Sequence, residues 1–242
     1  MAESYTESKF ILYPVHVWPA RLHKIVGLRE DKKARARQTI SNVASALFLK
    51  KGFDAVSVAD VAVAANVSKM TVFNYFPRKE DLLLDRDEEA RALVRSAILE
   101  RGKSQSSIDG FFALAQRLVA EAHPFAKWTP ATEHFFGTIR QSPSLIARGR
   151  ELRELMEAEL AAVLVEAAAT RVDDATAHIL AVSMVAAWRI GHAAATSAYR
   201  AGKRGAALSE LFLQALDEAL EPVRRAARRT PYGLGPVRRK ER

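Results

Sequence analysis

No cysteine occurs in the 242 residues. Disulfides and thiolate chemistry are thereby excluded, and a cytosolic setting fits. Glycine and proline are sparse. Gly52, Pro77, Gly102, Pro124, Pro130, Pro143 and Pro222 stand at intervals, as breaks between helices do. No stretch alternates apolar and polar residues long enough to argue for a sheet. No apolar run approaches the ~20 residues of a membrane span. Phe10–Val17 is apolar but carries Pro14 and His16 and has no basic region before it, which makes it a poor signal peptide. Catalytic signatures are missing too: there is no HExxH, no phosphate-cradling glycine loop and no nucleophile elbow. His178 and His192, fourteen residues apart on one expected helix, are roughly 21 Å apart along its axis, too far to share a metal. His123 and His134 have no partner at ligand spacing. Neither a metal, nor a cofactor, nor an enzyme is indicated.

What is present is alanine, leucine, glutamate and arginine, all good helix formers, in an unevenly charged chain. The overall charge is +9. Residues 29–80 hold ten basic and five acidic side chains, residues 81–221 sixteen and twenty, and residues 222–242 eight and one. A basic front, an acidic body and a basic end suggest a polyanion at the front.

Residues 1–27, with two prolines, two histidines, several aromatics and no helical period, read as a disordered or loosely attached extension. From Leu28 the pattern is helical nearly throughout. The first helix is expected over Glu30–Lys51 and ends at Gly52, a left-handed C-terminal residue. Ser57, with Asp60 three residues on, opens a short helix to about Ala65. Asn66 tolerates the positive φ of a tight turn. Ser68 caps a third helix that ends near Phe76. Further helices are expected over 79–101, 107–123, 131–141, 144–169, 173–202 and 207–229, and a solvated basic tail over 230–242. The fold class is all-α: a three-helix domain over 28–78 and a larger helical domain over 79–229.

Two short helices joined by a tight turn after a longer one form a helix-turn-helix. Val58, Val61, Ala62 and Ala65 make the inner stripe of the second helix, and Val67, Val72 and Phe76 anchor the third against it. Lys69, Met70, Thr71, Asn74 and Tyr75 are left on the outer side, where such a helix enters the major groove of double-stranded DNA. Phe73 and Tyr75 have an alternative reading as core aromatics, and Lys69 and Lys79 as solvated charges.

The run Thr71-Val72-Phe73-Asn74-Tyr75-Phe76-Pro77-Arg78-Lys79-Glu80-Asp81-Leu82 resembles the recognition-helix signature of the TetR family of repressors. Ser57–Ala62 and Asn66–Ser68 match that family's second helix and turn, and Arg35–Phe53 is similar to its first helix. The resemblance implies that Lys69, Met70 and Thr71 touch bases and that Asn74 and Tyr75 touch the backbone. It implies that Lys79 holds a phosphate, and that Ser57 caps its helix and reaches a phosphate too. Phe73 stands where a tyrosine is usual, so one hydroxyl–phosphate contact is missing. Asn66 replaces a frequent glycine. Residues 28–35 resemble the usual start of family members, so residues 1–25 read as an upstream read-through, with Val26 as an alternative start.

In the second domain, Phe111, Phe112, Ala115, Trp128, Phe135, Phe136, Ile139, Met156, Trp188 and His192 are expected to line an apolar cavity for a small-molecule effector. Arg189, in an apolar stretch, needs a partner if buried: an acidic group of the ligand, or, the favoured reading, an ion pair within the domain or across a dimer. The resemblance implies that the last two long helices pair with their symmetry mates. The expected function is a cytoplasmic homodimeric repressor that binds a palindromic operator and is released by its effector. The alternative is a helical small-molecule-binding protein or enzyme with a vestigial helix-turn-helix. A membrane-surface role for Arg224–Arg242 lacks an apolar face.

Overall fold

A computed structural model describes residues 28–102, 104–171 and 174–233. The readings placed on residues 1–27 and on 234–242 fall outside these. Among the described residues the chain is all-α, without a strand, and carries nine α-helices: α1 Leu28–Lys51, α2 Val58–Ala64, α3 Lys69–Tyr75, α4 Asp87–Leu99, α5 Ser107–Ala120, α6 Pro130–Gln141, α7 Pro143–Ala168, α8 Ala175–Arg200 and α9 Ala206–Ala227. The chain divides between Thr39 and Ile40. Before that point the described residues are the first half of α1, where the Thr39 hydroxyl donates to the Arg35 carbonyl at 2.9 Å.

The local signals act as elementary chemistry requires. α1 stops at Gly52, whose φ of 87° suits a residue without Cβ and whose N–H reaches the Phe48 carbonyl at 2.8 Å. Ser57 and Asp60 form a reciprocal capping box on α2, and Ser68 accepts from the Thr71 N–H at the start of α3. Asn66 takes φ 53° in the turn between them.

One expected helix does not run as read. The stretch from Lys79 makes a 3-10 turn over Glu80–Leu82, and α4 begins only at Asp87. Leu82 and Leu83 are both buried in the N-terminal core. Asp85 takes a hydrogen bond from the Ser41 hydroxyl at 2.5 Å. The acids Asp87, Glu88 and Glu89 then sit in the first turn of α4, where the helix dipole favours them.

Two apolar cores result. The smaller joins Ile40, Ala44, Phe48, Phe53, Val61, Val72, Phe76 and Leu82 with Leu145 of α7. The larger is built by α4, α5, α7, α8 and α9. α8 and α9 form the most extensive helix pair, and Gly191 explains their closeness: a Cβ there would lie 2.9 Å from the Phe212 carbonyl oxygen. By length and composition alone α8 could cross a membrane, contrary to the reading that no run approaches a span; one face of it, with Leu180, Ala181, Met184 and Ala187, is buried in the large core, while Ile179, Val182 and Ile190 are exposed.

The expected solvated tail is corrected at its start. Residues Pro231–Gly233 form a 3-10 turn that buries Tyr232 completely. The Tyr232 hydroxyl donates to Asp174 at 2.6 Å and lies 2.8 Å from the Thr170 hydroxyl. Arginine-rich neighbours hid an aromatic anchor.

Candidate functional site

α3 is fixed from beneath. Val72 and Phe76 are buried in the small core, and Val61 and Ala62 of α2 pack there with them. Lys69, Met70, Phe73 and Asn74 are exposed, while Thr71 and Tyr75 are half-buried. Tyr75 packs against the core, so its ring belongs partly to the alternative reading as a core aromatic. Phe73 does not: it is 39% exposed, and Met70 is 69% exposed. Thr71 shares its hydroxyl with that of Ser68 at 2.8 Å, which engages it in the cap.

Two other expected contact residues have local duties. The Ser57 hydroxyl donates to Asp60 Oδ2 at 2.7 Å and accepts from the Asp60 N–H at 3.1 Å. The hydroxyl's bond to the carboxylate, and then that of the Ser57 N–H at 2.8 Å, hold the Asp60 carboxyl below its usual range. The Lys79 ammonium lies 4.3 Å from the Phe53 ring centroid and 5.8 Å from that of Phe48. The charge itself is thus held over the aromatic edge of the small core.

A charged set that sequence reading missed ties this region to α7. Arg78 meets Glu151 at 2.6 Å, Arg148 meets Glu151 at 2.9 Å, and Arg148 meets Asp81 at 2.8 Å. The Arg148 hydrogen bond, followed by that of Arg78, pulls the Glu151 carboxyl below its usual range. The Ser142 hydroxyl also donates to Asp54 at 3.0 Å. No spacing rule links partners about seventy residues apart.

The residues expected to line one cavity are divided between the two cores. Phe111 and Ala115 are buried in the large core, with Phe112, Trp128, Met156 and Trp188 packed against it; Phe135 and Ile139 pack against the small one. A string of ring contacts bridges them. It runs Phe111–Trp188 (5.9 Å), Trp188–Phe212 (5.1 Å), Phe212–Trp128 (5.4 Å), Trp128–His192 (5.3 Å), His192–Phe136 (5.3 Å) and Phe136–Phe135 (5.4 Å). Trp128 Nε1 donates to Thr196 Oγ1 at 3.2 Å, and Thr196 Oγ1 lies 3.3 Å from His192 Nδ1. Burial lowers the His192 pKa to about 4, so the ring is neutral near neutral pH. With Thr196 accepting from Trp128, its own proton can go to Nδ1, leaving the imidazole proton on Nε2.

Phe212 and Thr196 were not foreseen. Phe212 lies in the Leu208, Phe212, Leu216, Leu220 stripe of α9, and Thr196 lies one turn from His192, so helical spacing contained both signals. Arg189 corrects the buried reading: it is exposed on α8, next to Ile190, and cannot hold a ligand inside the domain. Ile179, Val182 and Ile190 are large apolar residues left exposed on the same helix. Among the described residues, no group of three or more histidine or carboxylate side chains is placed to hold a metal ion.

The sequence matches are short: the family match covers the helix-turn-helix, and the relative below aligns over a quarter of the chain. Residues 40–85 match the family described as "Bacterial regulatory proteins, tetR family". The HTH-type transcriptional regulator LuxR of Vibrio harveyi is 39% identical over 61 residues, which span 25% of this chain and 28% of LuxR. Among solved structures, a putative TetR-family transcriptional regulator from Mesorhizobium loti is 20% identical with a TM-score of 0.49, over 78% of this chain and 96% of that one. Salmonella enterica GusR is 18% identical with a TM-score of 0.46, over 77% and 96%.

Proposed function

We propose that this chain, a transcriptional regulator of the tetR family, represses its target genes by binding a palindromic operator as a homodimer, and that a largely apolar small molecule releases it. The observation that carries the reading is α3: a helix seated on Val72 and Phe76 with Lys69, Met70, Phe73 and Asn74 turned to solvent. Between Asp60 and Glu80 the chain holds Lys69, Arg78 and Lys79 and no acidic residue, in keeping with a polyanionic partner.

The dimer reading rests on α8. Its exposed Ile179, Val182 and Ile190, with Arg189 among them, form a face suited to a symmetric partner helix, where Arg189 can find an ion pair. Two copies then present their α3 helices to half-sites about one helical turn apart, or somewhat more. The effector reading rests on the ring string from Phe111 to Phe135. A ligand that spreads those rings acts on both cores and favours the state with the wrong spacing of α3 helices. Cytoplasmic localisation and the absence of a chemical step follow from this reading.

The test is binding of the full chain to the DNA flanking its own gene and to random duplex, across a salt series. Operator affinity well above random affinity, with two protomers per palindrome, supports the proposal. Equal affinity for both duplexes, or a lone protomer in solution, overturns it.

A further inference from the structure

The outward face of α3 combines hydrogen-bonding Lys69 and Asn74 with large apolar side chains. The Thr71 hydroxyl is shared with Ser68 at 2.8 Å and its N–H is taken by the same cap. Tyr75 leans on the small core. Beside the exposed polar Lys69 and Asn74, the helix projects two large apolar side chains, Met70 at 69% exposure and Phe73 at 39%. They lie three residues apart, on one face of the helix. The Lys69 ammonium lies 5.8 Å from the Phe73 ring centroid, which places a cation at the edge of this patch. Exposed large apolar side chains mark contact surfaces. The surrounding stretch from Val61 to Lys79, three cations without an acid, makes the complementary partner a polyanion and not a neutral protein face.

The one apolar group displayed in the major groove is the C5-methyl of thymine. We propose that Met70 and Phe73 select the operator by packing against thymine methyl groups, so that each half-site carries thymine beneath this pair. The inference rests on the DNA-binding reading and adds the chemical class of base that is read. Phe73 thereby gains a specificity role that a phosphate-binding tyrosine would not have, and Lys69 supplies the adjoining charge to phosphate or to a guanine edge.

The full chain is used to select duplexes from a random library, and each thymine of the selected half-site is then replaced by deoxyuridine, which lacks only the methyl. Loss of one buried methyl weakens binding about three- to fourfold. One or two positions per half-site should show this loss with the wild type. The loss should disappear in Met70→Ala or Phe73→Ala and persist in Met70→Leu. Both side chains are exposed, so the variants should melt with the wild type. Selected half-sites without thymine, replacements that are silent everywhere, or a loss that survives both alanine variants overturn the proposal while leaving DNA binding intact. Failure to enrich any duplex removes the DNA-binding reading and this one with it. Self-association abolished by Met70→Ala overturns it as well, by making the patch a contact between copies.

Discussion

Arg148 of α7 holds Asp81, just past the recognition helix, at 2.8 Å, with both side chains less than one-fifth exposed. Through Glu151 the same arginine reaches Arg78. The turn that ends the helix-turn-helix is therefore clamped to the helix whose later part, Leu160–Leu164, lies in the large core. Movement of α7 must either carry this turn along or break the pairs.

Asp81→Asn weakens the clamp without changing shape. The pair lies between surface and buried, so the loss of stability is about 1–2 kcal/mol. The larger effect falls on coupling: operator affinity without effector stays near wild type, and the fold-change caused by effector shrinks. Equilibrium binding with and without effector checks this. An unchanged ratio would falsify the clamp as a transmission element.

Lys79→Met keeps an unbranched side chain beside Phe53 and Phe48 and removes the charge that sits over their rings. Affinity should fall alike for operator and random duplex, and the dependence of log affinity on log salt should lose about one phosphate's worth of slope. Loss confined to the operator would mean that Lys79 reads bases instead.

His192 gives a pH signature with a definite sign. Its folded pKa of about 4 lies below the ordinary 6.5 because burial penalises the cation. Between these values the unfolded chain binds the extra proton, so this contribution is complete above about pH 6.5 and is lost as pH falls towards 4. The full loss is roughly 3 kcal/mol. Chemical denaturation from pH 7.5 to 4.5 should show a steeper decline for the wild type than for His192→Phe. Parallel curves would count against burial of the neutral ring among Trp128, Phe136 and Thr196.

Gly191→Ala tests the α8–α9 contact. The added Cβ meets the Phe212 carbonyl oxygen at 2.9 Å and Leu216 Cβ at 3.0 Å. Both belong to the packed core, so relief requires the helices to part, at a cost of about 1–3 kcal/mol. The urea midpoint should drop, and self-association should weaken with it. A midpoint equal to wild type would show that the helices separate freely.

Much of the molecule could be read from local rules. Caps, turns and helical stripes involve residues within four or five positions of each other. That is why Ser57 with Asp60, Ser68, Asn66 and Gly52 announced the helix-turn-helix correctly, and why Val72 and Phe76 were assigned to its inner side. Phe73 and Tyr75 show the limit: the sequence left both open between surface and core, and only the packing of α3 set Phe73 outward and leaned Tyr75 on the core.

By itself, then, the sequence determined most helix ends and which stripe of each helix is apolar, because those follow from backbone hydrogen bonding and a period of 3.6; the start of α4 at Asp87 and the turns at Glu80–Leu82 and Pro231–Gly233 were not among them. Tertiary structure alone decided which stripes meet. It parted Phe135 and Ile139 from Phe111 and Trp188, turned Arg189 outward, joined Arg148 to Asp81 and drew Tyr232 against Asp174. Those outcomes depend on close packing and charge pairing between groups tens of residues apart, for which a one-dimensional pattern has no coordinate.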